Sequence, residues 1–281
     1  MNKKIVNFIN WLFLLGSTVL VCMFLGIILW DIFSKGLPAV SWGFISEYPT
    51  NGMTQGGVFP AIAGTVLLTF ITTLFAVPLG ITCAVYLNEY ARLNLMTNII
   101  RASIRNLAGI PSIIYGLFGL ALFVQSMHLG TSVLSAGLTL GLLSLPYIIT
   151  TTEESLKTVP NSMREATLAL GATQFETIRD VVIPKALSGI ITGIILTLSR
   201  AAGETAPILF TGAAFYINGV STSLNQEFMA LPYHLYMLST QHHAIEQVRL
   251  LAYATSVVLI LLIFAMNILA FVIRFRNRTK D

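Results

Sequence analysis

Six long apolar runs, separated by short polar stretches, dominate the chain. They lie at about Trp11–Trp30, Phe59–Leu87, Leu107–Met127, Val133–Thr152, Ala186–Phe210 and Leu250–Ile273. Each approaches or exceeds the roughly 20 residues a helix needs to cross a bilayer. The pattern predicts six membrane-spanning helices. The first run carries an indole at each end, where interfacial aromatics belong. It follows Lys3 and Lys4 like a signal peptide, but it is long and no small-residue cleavage site ends it, so it reads as a retained helix. Pro78, Pro111, Pro146 and Pro207 fall in or at the ends of runs and are expected as kinks.

Composition agrees. Of 281 residues, 55% are hydrophobic and only 10% are charged, where a soluble domain carries about 25% charged residues. The mean hydropathy is +0.80. The net charge of +4 could suggest a nucleic-acid partner, but the basic residues sit in short loops beside apolar runs, so no nucleic acid is expected. On one side of the bundle fall Lys3, Lys4, Arg92, Arg101, Arg105, Lys157, Arg164, Arg179, Lys185, Arg274, Arg276, Arg278 and Lys280; on the other only Lys35 and Arg249. Positive residues accumulate on cytoplasmic loops, so both termini are placed in the cytoplasm. Cys22 and Cys83 lie inside apolar runs and read as packing residues. The adjacent His242 and His243 lack ligand partners at metal spacing and read as solvated loop residues. No metal site is expected.

The 153–185 loop carries the most local information. Ser162-x-x-Glu165 and Thr173-x-x-Glu176 are both capping-box sequences, and Gly171 between them suits a left-handed helix end. The result is a helical hairpin outside the membrane, with Leu168, Phe175 and Ile178 available for apolar contact and Pro184 closing the segment. Glu165-Ala166-Thr167, then Gly171, then Val181, Ile183 and Pro184 resemble the EAA motif of type I ABC importer permeases, whose pattern is E-A-A, three residues, G, nine residues, I-x-L-P. Thr167 departs from the second alanine. The resemblance implies an all-α polytopic protein of the type I (MetI-like) permease fold. It also implies that Glu165, Ala166, Gly171 and Pro184 belong to a cytoplasmic coupling helix docking on an ATPase. No lysine of the chain stands in a phosphate-cradling G-x-x-x-x-G-K-[ST] loop, so ATP is expected to be hydrolysed by a separate subunit.

The fifth run contains Arg200 and Glu204 within LTLSRAAGETAPILF. A charge at a helix centre costs about 2.5–3.5 kcal/mol on insertion scales and usually marks function. Spacing of four residues puts both on one helical face, and the small Ala201, Ala202 and Gly203 permit close helix approach. A guanidinium fork suits a phosphate oxyanion; a static ion pair holding two helices together is the competing reading.

The segment R-x-x-G-E-T-A-P resembles the fifth-span signature of phosphate-specific ABC permeases. Residues 51–65 and 37–42 resemble the A-type subunit of that family. The resemblance implies a substrate path at Arg200, Glu204 and Thr205. Its implied partners are a homologous second permease, a dimer of ATP-binding subunits that bind ATP and Mg, an extracytoplasmic phosphate-binding protein and the lipid bilayer. The chain itself is expected to hold no cofactor and to be a transport subunit of the bacterial inner membrane rather than an enzyme. We divide it into an N-terminal helix and outer loop (1–57), a permease core (58–275) and a cytoplasmic tail (276–281). A permease for another oxyanion such as sulfate or molybdate, or for a phosphonate, is the nearest alternative. An ion-coupled secondary transporter would need more intramembrane acids or discontinuous helices. A membrane enzyme would need a metal cluster or nucleophile–base set that the sequence lacks.

Single cysteines at Gln226 and Lys280, in a background without Cys22 and Cys83, test the orientation. An impermeant thiol reagent applied to intact cells with an opened outer barrier should label position 226 and spare 280. The reverse pattern contradicts the charge argument.

Overall fold

The computed structural model describes residues 3–278 apart from Leu93, Asn218, Ser221 and Thr222. Lys280 and the rest of 279–281, which the sequence assigns to the cytoplasmic tail, lie outside the described residues. The elements in chain order are α1 (Lys3–Gly36), α2 (Trp42–Ser46), a two-residue hairpin of β1 (Pro49–Thr50) and β2 (Gln55–Gly56), α3 (Phe59–Val85), α4 (Leu95–Leu107) and α5 (Ser112–Gly119). They continue with α6 (Val133–Lys157), α7 (Asn161–Ala169), α8 (Gln174–Thr177), α9 (Ile183–Ala202), α10 (Ala206–Thr211), α11 (Leu231–Thr240) and α12 (Ile245–Arg278). Five helical stretches are long and apolar enough to cross a bilayer; α4 and the helix from Ser112 to Ser126 form a sixth candidate bent by 100°.

Five of the six expected spans are matched by long apolar helices and the third by the bent pair, with two corrections. The third is not one run from Leu107. Leu107 ends α4, and the chain turns at Gly109-Ile110-Pro111 before α5 begins. A proline disfavours helical geometry in the residue before it, so Ile110 cannot carry α4 forward. The fifth is broken at Gly203-Glu204-Thr205. Pro207 has no N–H, and its ring would clash with the carbonyl four residues back, so α9 stops at Ala202 and α10 restarts with proline in its first turn. Pro78 and Pro146, by contrast, sit inside continuous α3 and α6.

α6 is the centre of the bundle and packs chiefly on α3 and α9. Glycines set these distances. A Cβ on Gly80 would strike Ile148, one on Gly137 would strike Ile71, and one on Gly189 would strike Ser155. Small residues let membrane helices approach closely where no hydrophobic force drives them together. Many interior hydroxyls are satisfied within their own helices: Thr69 donates to the Thr65 carbonyl at 2.8 Å, Thr139 to Ser135 at 2.7 Å and Ser144 to Leu140 at 2.7 Å. Most of α1 touches nothing in the chain and exposes Trp11, Phe13, Leu14 and Phe24, as a helix facing lipid does. Only its end is tied down, where Tyr253 donates to Asp31 at 3.0 Å beside the Asp31–Lys35 ion pair.

Where described, the segments before α3 and after α10 carry their own turns and contacts, which corrects the reading of His242 as a solvated loop residue, while His243 is exposed as expected. His242 is 3% exposed. Its Nε2 lies 2.7 Å from the Gly52 carbonyl, and its Nδ1 accepts from the Ala244 N–H at 3.1 Å. It holds a turn in which Asn51, Gly52 and Met53 all have positive φ, a strained run that needs such an anchor. His242 and His243 stack at 4.4 Å. Among the described residues no group of three or more His, Cys, Asp or Glu could hold a metal.

His234 of α11 is also buried, and α11 is too short to span a bilayer. Burial, with a smaller contribution from His242, pushes its pKa down to about 4. The unfolded chain takes up that proton near the ordinary 6.5. Stability is therefore full above pH 6.5 and declines as the pH falls toward 4. The thermal midpoint of the solubilised protein should drop steadily between pH 7 and 5, and His234→Gln should flatten the slope. A wild-type midpoint unchanged over that range contradicts this.

Candidate translocation and coupling sites

The sequence singles out two groups of residues, and the fold places them apart: Arg200, Glu204 and Thr205 at the break in the fifth span, and Glu165, Ala166, Gly171 and Pro184 on the hairpin between α6 and α9.

At the break, Arg200 sits in the last turn of α9, where a cation complements the helix dipole. Its side chain is half exposed (54%), while that of Glu204 is 17% exposed. Arg200 Nε lies 3.5 Å from Glu204 Oε1, an ion pair longer than a usual hydrogen bond. The pair expected from four-residue spacing thus forms, although Glu204 lies beyond the helix, its N–H donating to the Ala201 carbonyl at 3.1 Å. The guanidinium carbon stands 4.5 Å from the centre of the Tyr147 ring, a cation–π contact that sequence reading missed. The Tyr147 hydroxyl donates to the Ala108 carbonyl at 2.7 Å, so the ring under Arg200 is anchored to the α4–α5 elbow. Thr205 starts α10 without capping it through its side chain. Ala201 and Ala202 are buried against the bundle, as small residues at a close approach should be. The result is a half-exposed cation stacked on Tyr147, with one loosely held carboxylate beside it.

At the hairpin, the second capping box forms as expected. The Thr173 side chain accepts from the Glu176 N–H at 3.3 Å, and Glu176 accepts from the Thr173 N–H at 2.7 Å. Gly171 has φ +92°, a backbone glycine tolerates and a side chain does not. The first box does not form. Pro160 stands before α7 in extended geometry and starts the helix at Asn161, which leaves Ser162 inside the first turn, past the capping position. Ile178 points inward at 4% exposure, so it is not free for contact. Pro184 does not close the segment either, because the helix runs on from Gln174 to Ala202 with Pro184 in the first turn of α9. Glu165, Ala166 and Pro184 are exposed. Met163, Leu168, Leu170 and Phe175 expose apolar side chains on the same hairpin.

What fixes the hairpin is a residue the sequence reading passed over. Glu89 ends the π-helical turn after α3 and is 7% exposed. Arg164, next to Glu165, donates to both its oxygens, Nε to Oε2 at 3.0 Å and Nη2 to Oε1 at 2.8 Å. The same guanidinium donates to the carbonyls of Val159 at 2.6 Å and Leu156 at 3.0 Å. Gln174 donates to the Glu89 carbonyl at 2.7 Å. Both helices of the hairpin are thus bolted to the helical turn that follows α3. Nearby, Arg101 of α4 reaches Glu153 of α6 at 3.0 Å, both largely buried, and donates to the Leu87 carbonyl at 2.5 Å. The available signal was an acid at the end of each apolar run, Glu89 and Glu153, each facing a loop arginine.

Breaking a buried pair by removing one partner costs about 3–5 kcal/mol. Glu89→Gln should therefore raise amide hydrogen exchange across residues 161–177 while α3 and α6 keep their protection. Exchange identical to wild type in the hairpin contradicts the clamp.

The chain matches the family described as binding-protein-dependent transport system inner membrane component over residues 76–279. It is 36% identical over 252 residues to the phosphate transport system permease protein PstA of Yersinia pestis, covering 88% of this chain and 83% of that one. It is 32% identical over 286 residues to PstA 1 of Mycobacterium tuberculosis strain H37Rv, covering 98% and 89%. Among solved structures, it resembles the inward-facing MetNI methionine ABC transporter with a TM-score of 0.62 at 20% identity, over 77% of this chain and 94% of that one, a likeness of fold.

Proposed function

The chain belongs to the binding-protein-dependent transport system inner membrane components, and on that footing we propose that it is a permease subunit moving inorganic phosphate inward through an ATP-driven importer. The observation that carries the substrate is Arg200. Its planar fork is half exposed in the break of the fifth span, supported from behind by Tyr147 and only loosely paired with Glu204. A phosphate oxyanion can accept two parallel charge-assisted bonds from such a fork. Glu204 neutralises the cation between transport events and yields it when the anion arrives, so neither state leaves a bare charge in the bundle. Thr205, at the same break, offers a hydroxyl to the path.

The hairpin supplies the drive. Glu165, Ala166 and the exposed Met163, Leu168, Leu170 and Phe175 form a mixed apolar surface suited to a groove on an ATP-binding subunit. Gly171 shapes the turn, and Pro184 lies within the helix that leads to Arg200. Movement of that surface passes through Arg164–Glu89 to α3, and along the continuous Gln174–Ala202 helix to Arg200 itself. ATP and Mg would be bound by a dimer of those partner subunits. A homologous permease would complete the path, and an extracytoplasmic phosphate-binding protein would deliver substrate to the outer face. The charge asymmetry supports cytoplasmic termini.

Arg200→Lys keeps the charge and loses the fork, and should lower phosphate uptake by about tenfold or more; Arg200→Gln should abolish it. The double change Arg200→Gln with Glu204→Gln removes both charges and should restore assembly but not uptake. Normal uptake by the double variant would reduce the pair to a structural ion pair.

A further inference from the structure

We propose that the α4–α5 elbow is a binding site for an anionic phospholipid of the inner leaflet, one acyl chain seated in the elbow cavity and the headgroup met by Arg105. The 100° bend between α4 and the helix from Ser112 to Ser126 sets α4 roughly parallel to the membrane plane if the latter crosses it. Its depth follows from its contacts. Arg101 pairs with Glu153, one turn from the end of α6, and reaches the Leu87 carbonyl at the end of α3. Positive charge places that end on the cytoplasmic side.

At about 100° per residue, α4 has three flanks. Thr97, Arg101 and Ile104 face the bundle, and Thr97 is buried. Leu95, Met96, Ile99 and Leu107 form a second flank, 77%, 66%, 52% and 43% exposed. Asn98 and Arg105 form a third, also exposed. An apolar flank and a basic flank on a helix lying flat are the features of an interfacial helix, apolar side toward the acyl chains and basic side toward headgroups and water. Among the described residues Arg105 makes no ion pair within the chain.

Beneath α4 the elbow leaves a cavity of about 360 Å³ lined by Ile104, Leu107, Ile110, Ile114, Phe118 and Leu145. Tyr115 also borders it, but its hydroxyl is committed to the Leu107 carbonyl at 3.0 Å, so the lining offers little to a polar guest and fits a hydrocarbon chain. The cavity also meets Leu142, Pro146 and Ile149 of α6. By helical rotation these lie roughly 110° from Leu143 and Tyr147, the side that meets Arg200. The cavity therefore lies on a different side of α6 from Arg200. Arg105 follows Ile104 and is turned about 100° from it around α4, so the exposed cation stands beside the apolar slot and outside its lining.

The test uses the purified transporter, delipidated in detergent and incubated with palmitoyl-oleoyl phosphatidylglycerol or the matching phosphatidylcholine, with retained lipids counted by native mass spectrometry. Wild type should retain phosphatidylglycerol in preference to phosphatidylcholine. Arg105→Gln should weaken that retention about fivefold, the effect of one basic residue at an anionic surface, and Arg105→Lys should restore it. Ile114→Trp, which fills the cavity, should remove retention of both lipids. Equal retention of the two lipids by wild type, or unchanged phosphatidylglycerol retention in both Arg105→Gln and Ile114→Trp, overturns the proposal. So does a cysteine at Ile114 that crosslinks to the second permease, since protein would then occupy the cavity.

Discussion

A bilayer offers no hydrogen bonds, and every polar group carried into it must find its partner inside the protein. That constraint orders this chain from end to end. Hydroxyls of α3 and α6 return to carbonyls of their own helices. At the elbow, neighbours receive the freed backbone, the Ala108 and Leu107 carbonyls accepting from Tyr147 and Tyr115. Near the ends of α3, α4 and α6, Glu89 pairs with Arg164 and Glu153 with Arg101. Arg200 is held more loosely, half exposed on a helix break with a carboxylate 3.5 Å away. It is this lightly paired cation that we propose as the oxyanion ligand.

Two consequences follow for how force could travel. The hairpin is not a flexible loop. Arg164 is saturated by Glu89 and two carbonyls, so the hairpin and the end of α3 move as one body. On its other side the helix from Gln174 to Ala202 is continuous, and its last turn carries Arg200. The same rigid path therefore joins the exposed apolar surface of the hairpin to the cation at the break. Close glycine contacts between α6 and its neighbours leave α6 as the fixed centre against which this path can shift.

Much of this was legible in the residues. Apolar runs gave the spans because lipid-facing helices need little else, and the Thr173–Glu176 box and Gly171 could be read because caps and left-handed turns are local. The failures were of two kinds. Proline was read as a kink within a span, yet whether it kinks or terminates depends on packing. Pro78 and Pro146 stay inside helices, whereas Pro111 and Pro207 mark an elbow and a break. Long-range partners were invisible. Ser162 lost its cap to Pro160, His242 turned out buried against Gly52, and Glu89 meets Arg164 across 75 residues. The Tyr147 ring beneath Arg200 belongs to the same class, since only the fold brings α6 under α9.

Substrate selectivity is the most direct check on the account. Vesicles holding the complete importer with its binding protein should accumulate radiolabelled phosphate when ATP is supplied inside the compartment that faces the ATPase. Excess unlabelled phosphate should suppress this accumulation and excess sulfate should not. Sulfate accumulation equal to that of phosphate, or phosphate movement independent of ATP, would contradict it.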